Sequence, residues 1–80
     1  MINLTAEQNA IIEGLAETMD IARIELGYKV ISTEQADIIR NTVHTTLHNI
    51  GDALGLDSDT KHAMFKRYID LTFEKANNQN

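Results

Sequence analysis

Residues 32–55, STEQADIIRNTVHTTLHNIGDALG, carry signals for the start, the buried face and the end of one long helix. Ser32 and Gln35 fit a capping box, in which each side chain accepts a hydrogen bond from the backbone N–H of the other residue. Gly55 readily adopts the left-handed conformation in which many helices end. Between these two signals, apolar residues recur at spacings of three and four: Ala36, Ile39, Val43, Leu47, Ile50 and Leu54. This periodicity predicts a helix over residues 33–54.

Comparable signals flank this helix on both sides. Thr5 and Gln8 form a second capping box, and Gly27 is expected to supply the left-handed residue that ends the first helix. Asp57 or Ser58 can cap a third helix. The predicted helices are therefore 6–26, 33–54 and 59–76, followed by a polar tail at 77–80. We expect one all-α domain, a three-helix bundle with helices one and two antiparallel and the third packed against them.

Composition limits the classes of protein to which the chain can belong. The chain contains no cysteine, so disulfides cannot reinforce its small core, and we expect a cytoplasmic protein. No apolar stretch approaches the ~20 residues that span a bilayer, so we expect no membrane partner. The formal net charge is −5, divided into −6 for residues 1–57 and +1 for residues 58–80. Such an acidic chain is not expected to bind nucleic acid, which requires clustered Lys and Arg.

Residues 50–67 resemble a helix-turn-helix segment. The residues that fit its small, turn and apolar positions are Gly51, Leu54, Gly55, Leu56 and Met64. The resemblance implies a DNA-binding transcription regulator, which we keep as an alternative function. However, Lys61 occupies a position that such motifs fill with an aliphatic residue, and Asp57 and Asp59 would bring negative charge to the DNA. A helix corner at Gly55 explains the same residues without DNA.

His44 and His48 lie one helical turn apart, a spacing at which two imidazoles can bind one metal ion. Asp37 on the same helix or His62 on the next could complete such a site. A zinc hydrolase would need a glutamate immediately after the first histidine, and this chain has Thr45 there. We therefore expect two solvated histidines with pKa values close to 6.5, and a metal or small-ligand binder is only a second alternative.

No pattern in the sequence indicates catalysis. The chain lacks a glycine-rich phosphate loop, a serine elbow and a cysteine nucleophile. An alternation of acidic residues at 57–61 is similar to the start of a calcium loop, but Lys61 and His62 occupy positions that require an oxygen ligand and a glycine. We therefore expect no enzymatic activity, no cofactor and no metal.

Two of the predicted helices carry apolar residues on more than one face. In helix one the core stripe is Ile12, Leu15, Met19, Ala22 and Leu26, whereas Ile21 and Ile24 point to another side. In helix three one stripe is Phe65, Ile69, Phe73 and Ala76, and a second is Met64, Tyr68 and Leu71. The predicted association surface comprises Ile21, Ile24, Tyr28, Val30, Ile31, Met64, Tyr68 and Leu71. Because monomers rarely expose large apolar patches, we expect a homodimer or small oligomer.

These features favour a small, acidic, non-enzymatic protein that acts by protein–protein binding. Its size and type are typical of regulators or inhibitors carried by phages and mobile elements, and that origin is a hypothesis. The segment between the first two helices, residues 28–31, is apolar and partly β-branched. It could be extended if a second subunit pairs with it.

Overall fold

A computed structural model describes residues 2–78, which form three packed α-helices and contain no strand. The helices are α1 (Ala6–Gly27), α2 (Thr33–Ala53) and α3 (Ser58–Asn77). Each predicted boundary lies within one residue of the observed one, and the all-helical fold is confirmed. α1 packs extensively against both other helices, whereas α2 and α3 contact each other over a short stretch. None of the helices in the described part of the chain is both long and apolar enough to cross a membrane.

The helix starts form as the sequence predicts. The Thr5 hydroxyl accepts from the Gln8 backbone N–H at 3.1 Å, and the Gln8 side chain accepts from the Thr5 N–H at 2.9 Å. Ser32 and Gln35 form the same reciprocal pair at 3.1 and 2.8 Å. Asp57 is the N-cap of α3. Each of these side chains therefore satisfies an N–H group that the first helical turn leaves without a partner.

The end of α1 differs from the prediction, because Gly27 is still helical and Lys29 takes the left-handed conformation with φ 61°. The Val30 N–H donates to the Glu25 carbonyl at 2.9 Å, and the Lys29 N–H donates to the Leu26 carbonyl at 3.0 Å. This pair of bonds is a Schellman motif. Residues 28–31 are consequently a turn and bend within the chain, not an extended segment.

The core contains residues from all three helices. Its buried members are Ile12, Ala16, Val43, Leu47, Met64 and Tyr68. Leu71 packs against this cluster from a partly buried position. Met64 and Tyr68 are only 1% and 2% exposed, so their assignment to an intermolecular surface was wrong. The small Ala16 side chain in the same cluster leaves room for these larger ones.

α3 therefore buries the second of its two predicted stripes. Ile69 and Phe73 from the other stripe are 39% and 65% exposed. The apolar stripe of α2 is buried or partly buried, as predicted, except at its end. There Leu54 follows the last helical residue and is 57% exposed. These exposed side chains decide where the molecule can bind a partner.

Candidate binding groove

An open apolar groove of about 430 Å³ lies where the end of α1, the start of α2 and the end of α3 meet. More than half of its lining residues are aliphatic or aromatic: Met19, Ala22, Leu26, Ala36, Tyr68, Ile69, Phe73 and Ala76. Because these three helix ends meet at one groove, α1 and α3 run in the same direction and α2 runs in the opposite one. The groove thus exists only in the folded bundle, since its residues come from segments far apart in the sequence.

Ile69 and Phe73 form an apolar rim on the α3 side of this groove. Sequence periodicity placed both residues on one apolar stripe of helix three, and both are exposed. Full burial of a side chain of this type stabilises a protein or a complex by about 1.5–3 kcal/mol. The rim therefore favours an occupant that covers it with apolar surface.

Tyr68 lines the groove from a buried position. Burial raises the pKa of Tyr68 to about 12, so the phenol stays protonated at neutral pH. Tyr68 is therefore a neutral aromatic member of the groove lining.

His44 also lines the groove, and it is not the solvated residue that the sequence predicted. Its ring makes edge contacts with Phe65 and Tyr68, with ring centres 5.1 and 5.4 Å away. Burial, and secondly the positive charge of Arg40, lower the pKa of His44 below its usual 6.5. His44 is thus a neutral aromatic member of the groove at pH 7.

Oppositely charged pairs lie along the polar side of the groove. Asp20, which is 8% exposed, pairs with Arg23 at 3.1 Å, and Asp37 pairs with Arg40 at 3.1 Å. Two negative and two positive charges balance, so the lining carries no strong net charge. An occupant is therefore selected mainly by apolar complementarity.

The proposed metal ligands do not share one site, because Asp37 and His44 line the groove whereas His48 and His62 line a second depression. Asp37 is paired with Arg40, His44 packs between two aromatic rings, and His48 lies 3.3 Å from Asp52 on an exposed face. His62 lies in a different surface depression, next to His48. Among the described residues, no group of three or more His, Cys, Asp or Glu side chains is placed to hold a metal ion.

Most of the predicted association surface in helix one and the following turn is exposed. Ile21, Tyr28 and Val30 are 48%, 80% and 70% exposed, and Ile24 and Ile31 are partly buried. Tyr28 and Val30 follow Leu26, which lines the groove. Association through these five residues stays a prediction.

The segment that resembles a helix-turn-helix has its cations paired with neighbouring carboxylates. Lys61 lies 2.8 Å from Asp52, and Lys66 lies 3.0 Å from Asp70. Arg67 is 3.7 Å from Glu74. Such local neutralisation weakens the basic footprint on which phosphate binding depends.

Comparison with protein-family models, with curated protein sequences and with solved structures finds no significant match for this chain. The groove is therefore the feature of the molecule that points to a function. One feature of the sequence indicates the groove. α3 carries two apolar stripes, and only one of them fits into the core. No pattern in the sequence predicted that Met19 and Leu26 line the groove, because both residues also fit the core stripe of helix one.

Proposed function

We propose that this chain is a small, non-enzymatic interaction protein that binds an amphipathic helix of a protein partner in the groove. One observation carries the proposal: the open apolar groove is bordered by the exposed side chains of Ile69 and Phe73. A folded domain that leaves an aromatic rim beside an apolar depression has a surface suited to association.

The dimensions of the groove fit a helix. From Ile69 to Ala76 the groove follows seven residue steps of α3, or about 10 Å at 1.5 Å per residue. A helix that binds in a groove inserts apolar residues at positions i, i+4 and i+7, which span the same length. Two turns of a partner helix therefore match the groove from end to end.

The exposed rim also favours a helix over a small molecule. Pockets for small ligands enclose most of the ligand surface. A small molecule at the bottom of this open groove would leave Phe73 largely in water, whereas a helix can cover the groove and its rim together.

A selection from a displayed library of helical peptides tests this function. We expect enriched peptides to carry apolar residues at i, i+4 and i+7, and to bind the wild-type protein in calorimetry. Phe73→Glu should reduce their affinity at least tenfold, because it places a charge against an apolar ligand.

Leu54→Glu is the matched control, since Leu54 is comparably exposed but does not line the groove. We expect this variant to bind the peptides as the wild type does. A selection without enrichment, or peptides that bind Phe73→Glu equally well, would contradict the proposal.

A further inference from the structure

The chain itself contains a helix with an apolar stripe of the kind that the groove is proposed to bind. Ile69, Phe73 and Ala76 follow the spacing i, i+4 and i+7, and they border the groove on α3. This α3 stripe has the pattern that the groove is proposed to receive. A second copy of the chain therefore presents a suitable helix in an already folded form.

We infer that the groove is occupied by a second copy of this chain, so that α3 of each copy lays its stripe into the groove of the other. The inference rests on the helix-binding role proposed above and names the partner. Each copy then contributes Phe73 to the other copy's groove, and each groove is complete only in the dimer.

A twofold axis makes the two contacts identical. In such an arrangement the α3 helices cross in antiparallel directions, and the same patch of each copy meets itself. With the axis near residues 70 and 71, Ile69 of one copy faces Phe73 of the other, and the reverse contact is equivalent. Four large apolar side chains are then removed from water together.

The charges beside the stripe are balanced within each copy. Lys66 lies 3.0 Å from Asp70, and Arg67 lies 3.7 Å from Glu74. Two copies can therefore approach along α3 without the repulsion that a surface of one charge sign would produce.

Sedimentation equilibrium on the full chain tests the dimer. We expect wild type to dimerise at tens of micromolar, Phe73→Glu to weaken association at least 100-fold, and Leu54→Glu to associate as wild type does. Circular dichroism checks that each variant is folded, which we expect because both substituted side chains are well exposed.

A second substitution on the stripe tests the register. Ile69→Glu should also weaken the dimer, because Ile69 of one copy faces Phe73 of the other in this arrangement. A folded Ile69→Glu variant that associates as the wild type does would overturn this arrangement.

Wild-type protein that stays monomeric at several hundred micromolar would overturn the inference. If groove-dependent peptide binding persisted in that monomer, the proposed function would stand with a different protein as partner. If peptide binding were absent as well, both would fail. A dimer that Phe73→Glu leaves unchanged would overturn the inference and point to the surface of Ile21, Tyr28 and Val30 instead.

Discussion

Lys29 holds a left-handed backbone conformation, with φ 61°, that glycine adopts without steric penalty. For other residues the close approach of Cβ to the backbone costs roughly 1–2 kcal/mol. Its side chain is exposed and forms no ion pair within residues 2–78. Lys29→Gly should therefore raise the free energy of unfolding by about 1 kcal/mol, as measured by urea denaturation.

Gly55 provides the reciprocal control, because it holds φ 69° at the equivalent position after α2 and already is glycine. Gly55→Ala should lower the free energy of unfolding by a similar amount. A Lys29→Gly variant no more stable than the wild type would show that the turn strain is relieved in another way.

His44 gives the stability of the fold a dependence on pH with a defined sign. Burial lowers the pKa of His44 in the folded state below its usual 6.5. Between that lowered pKa and about 6.5, the unfolded chain therefore binds a proton more readily than the folded chain. The free energy of unfolding should fall as pH drops below about 6.5 and level off above it.

Urea denaturation of the wild type and of His44→Gln at pH 7.5 and 5.5 measures this effect. The variant lacks the titrating imidazole, so it should lose less stability between the two values. Equal losses in the two proteins would contradict the prediction. A titration of the His44 ring protons by NMR should give a midpoint below 6.5.

At the scale of the helices, their starts were predictable because each depends on two residues three apart, such as Ser32 and Gln35. The end of α1 was less predictable. Gly27 has the preferred residue type, but the helix includes Gly27, and Lys29 adopts the left-handed conformation two residues later. A local preference of about 1 kcal/mol is easily overridden by how the following segment leaves the helix.

The rotation of α3 could not be predicted from its own sequence. The stripe that contains Tyr68 and the stripe that contains Phe73 have the same period and comparable apolar size. Only the packing against α1 and α2 decides which one is buried. The groove depends on the same choice, so the sequence alone could not identify Ile69 and Phe73 as its rim.

The contact between α2 and α3 depends on Gly51, which is buried within α2. A methyl group added there would lie 2.8 Å from Cγ and 2.9 Å from Cδ of Lys61, whose ammonium group binds Asp52. Gly51→Ala should therefore displace the Lys61 side chain. This cost opposes the gain of up to about 1 kcal/mol that alanine gives a helix interior.

A double-mutant cycle separates these two effects. In a Lys61→Ala background the crowding atoms are gone, so Gly51→Ala should stabilise the protein by about 1 kcal/mol. In the wild-type background the same substitution should be distinctly less favourable. Equal effects in the two backgrounds would show that Lys61 moves aside freely. Thermal or urea denaturation gives all four free energies.

At the scale of the whole molecule, an 80-residue chain without disulfides has a modest core. Ile12, Met64 and Tyr68 are its largest fully buried side chains, while Ile69 and Phe73 remain in water. Dimerisation through the groove would add those rim residues to the buried surface. Folding and assembly should then be thermodynamically linked, because only the folded chain has a groove.

The thermal midpoint should therefore rise with protein concentration. For a folded dimer that unfolds to two chains, each tenfold increase in concentration adds about 1.4 kcal/mol, or about 3–5 °C for a protein of this size. Phe73→Glu should have a lower midpoint that does not vary with concentration, and Leu54→Glu should vary as the wild type does. Scanning calorimetry between roughly 10 and 500 µM covers the expected dissociation range. A wild-type midpoint that is constant over this range would show that the three-helix bundle is stable without assembly, and it would contradict the proposed dimer.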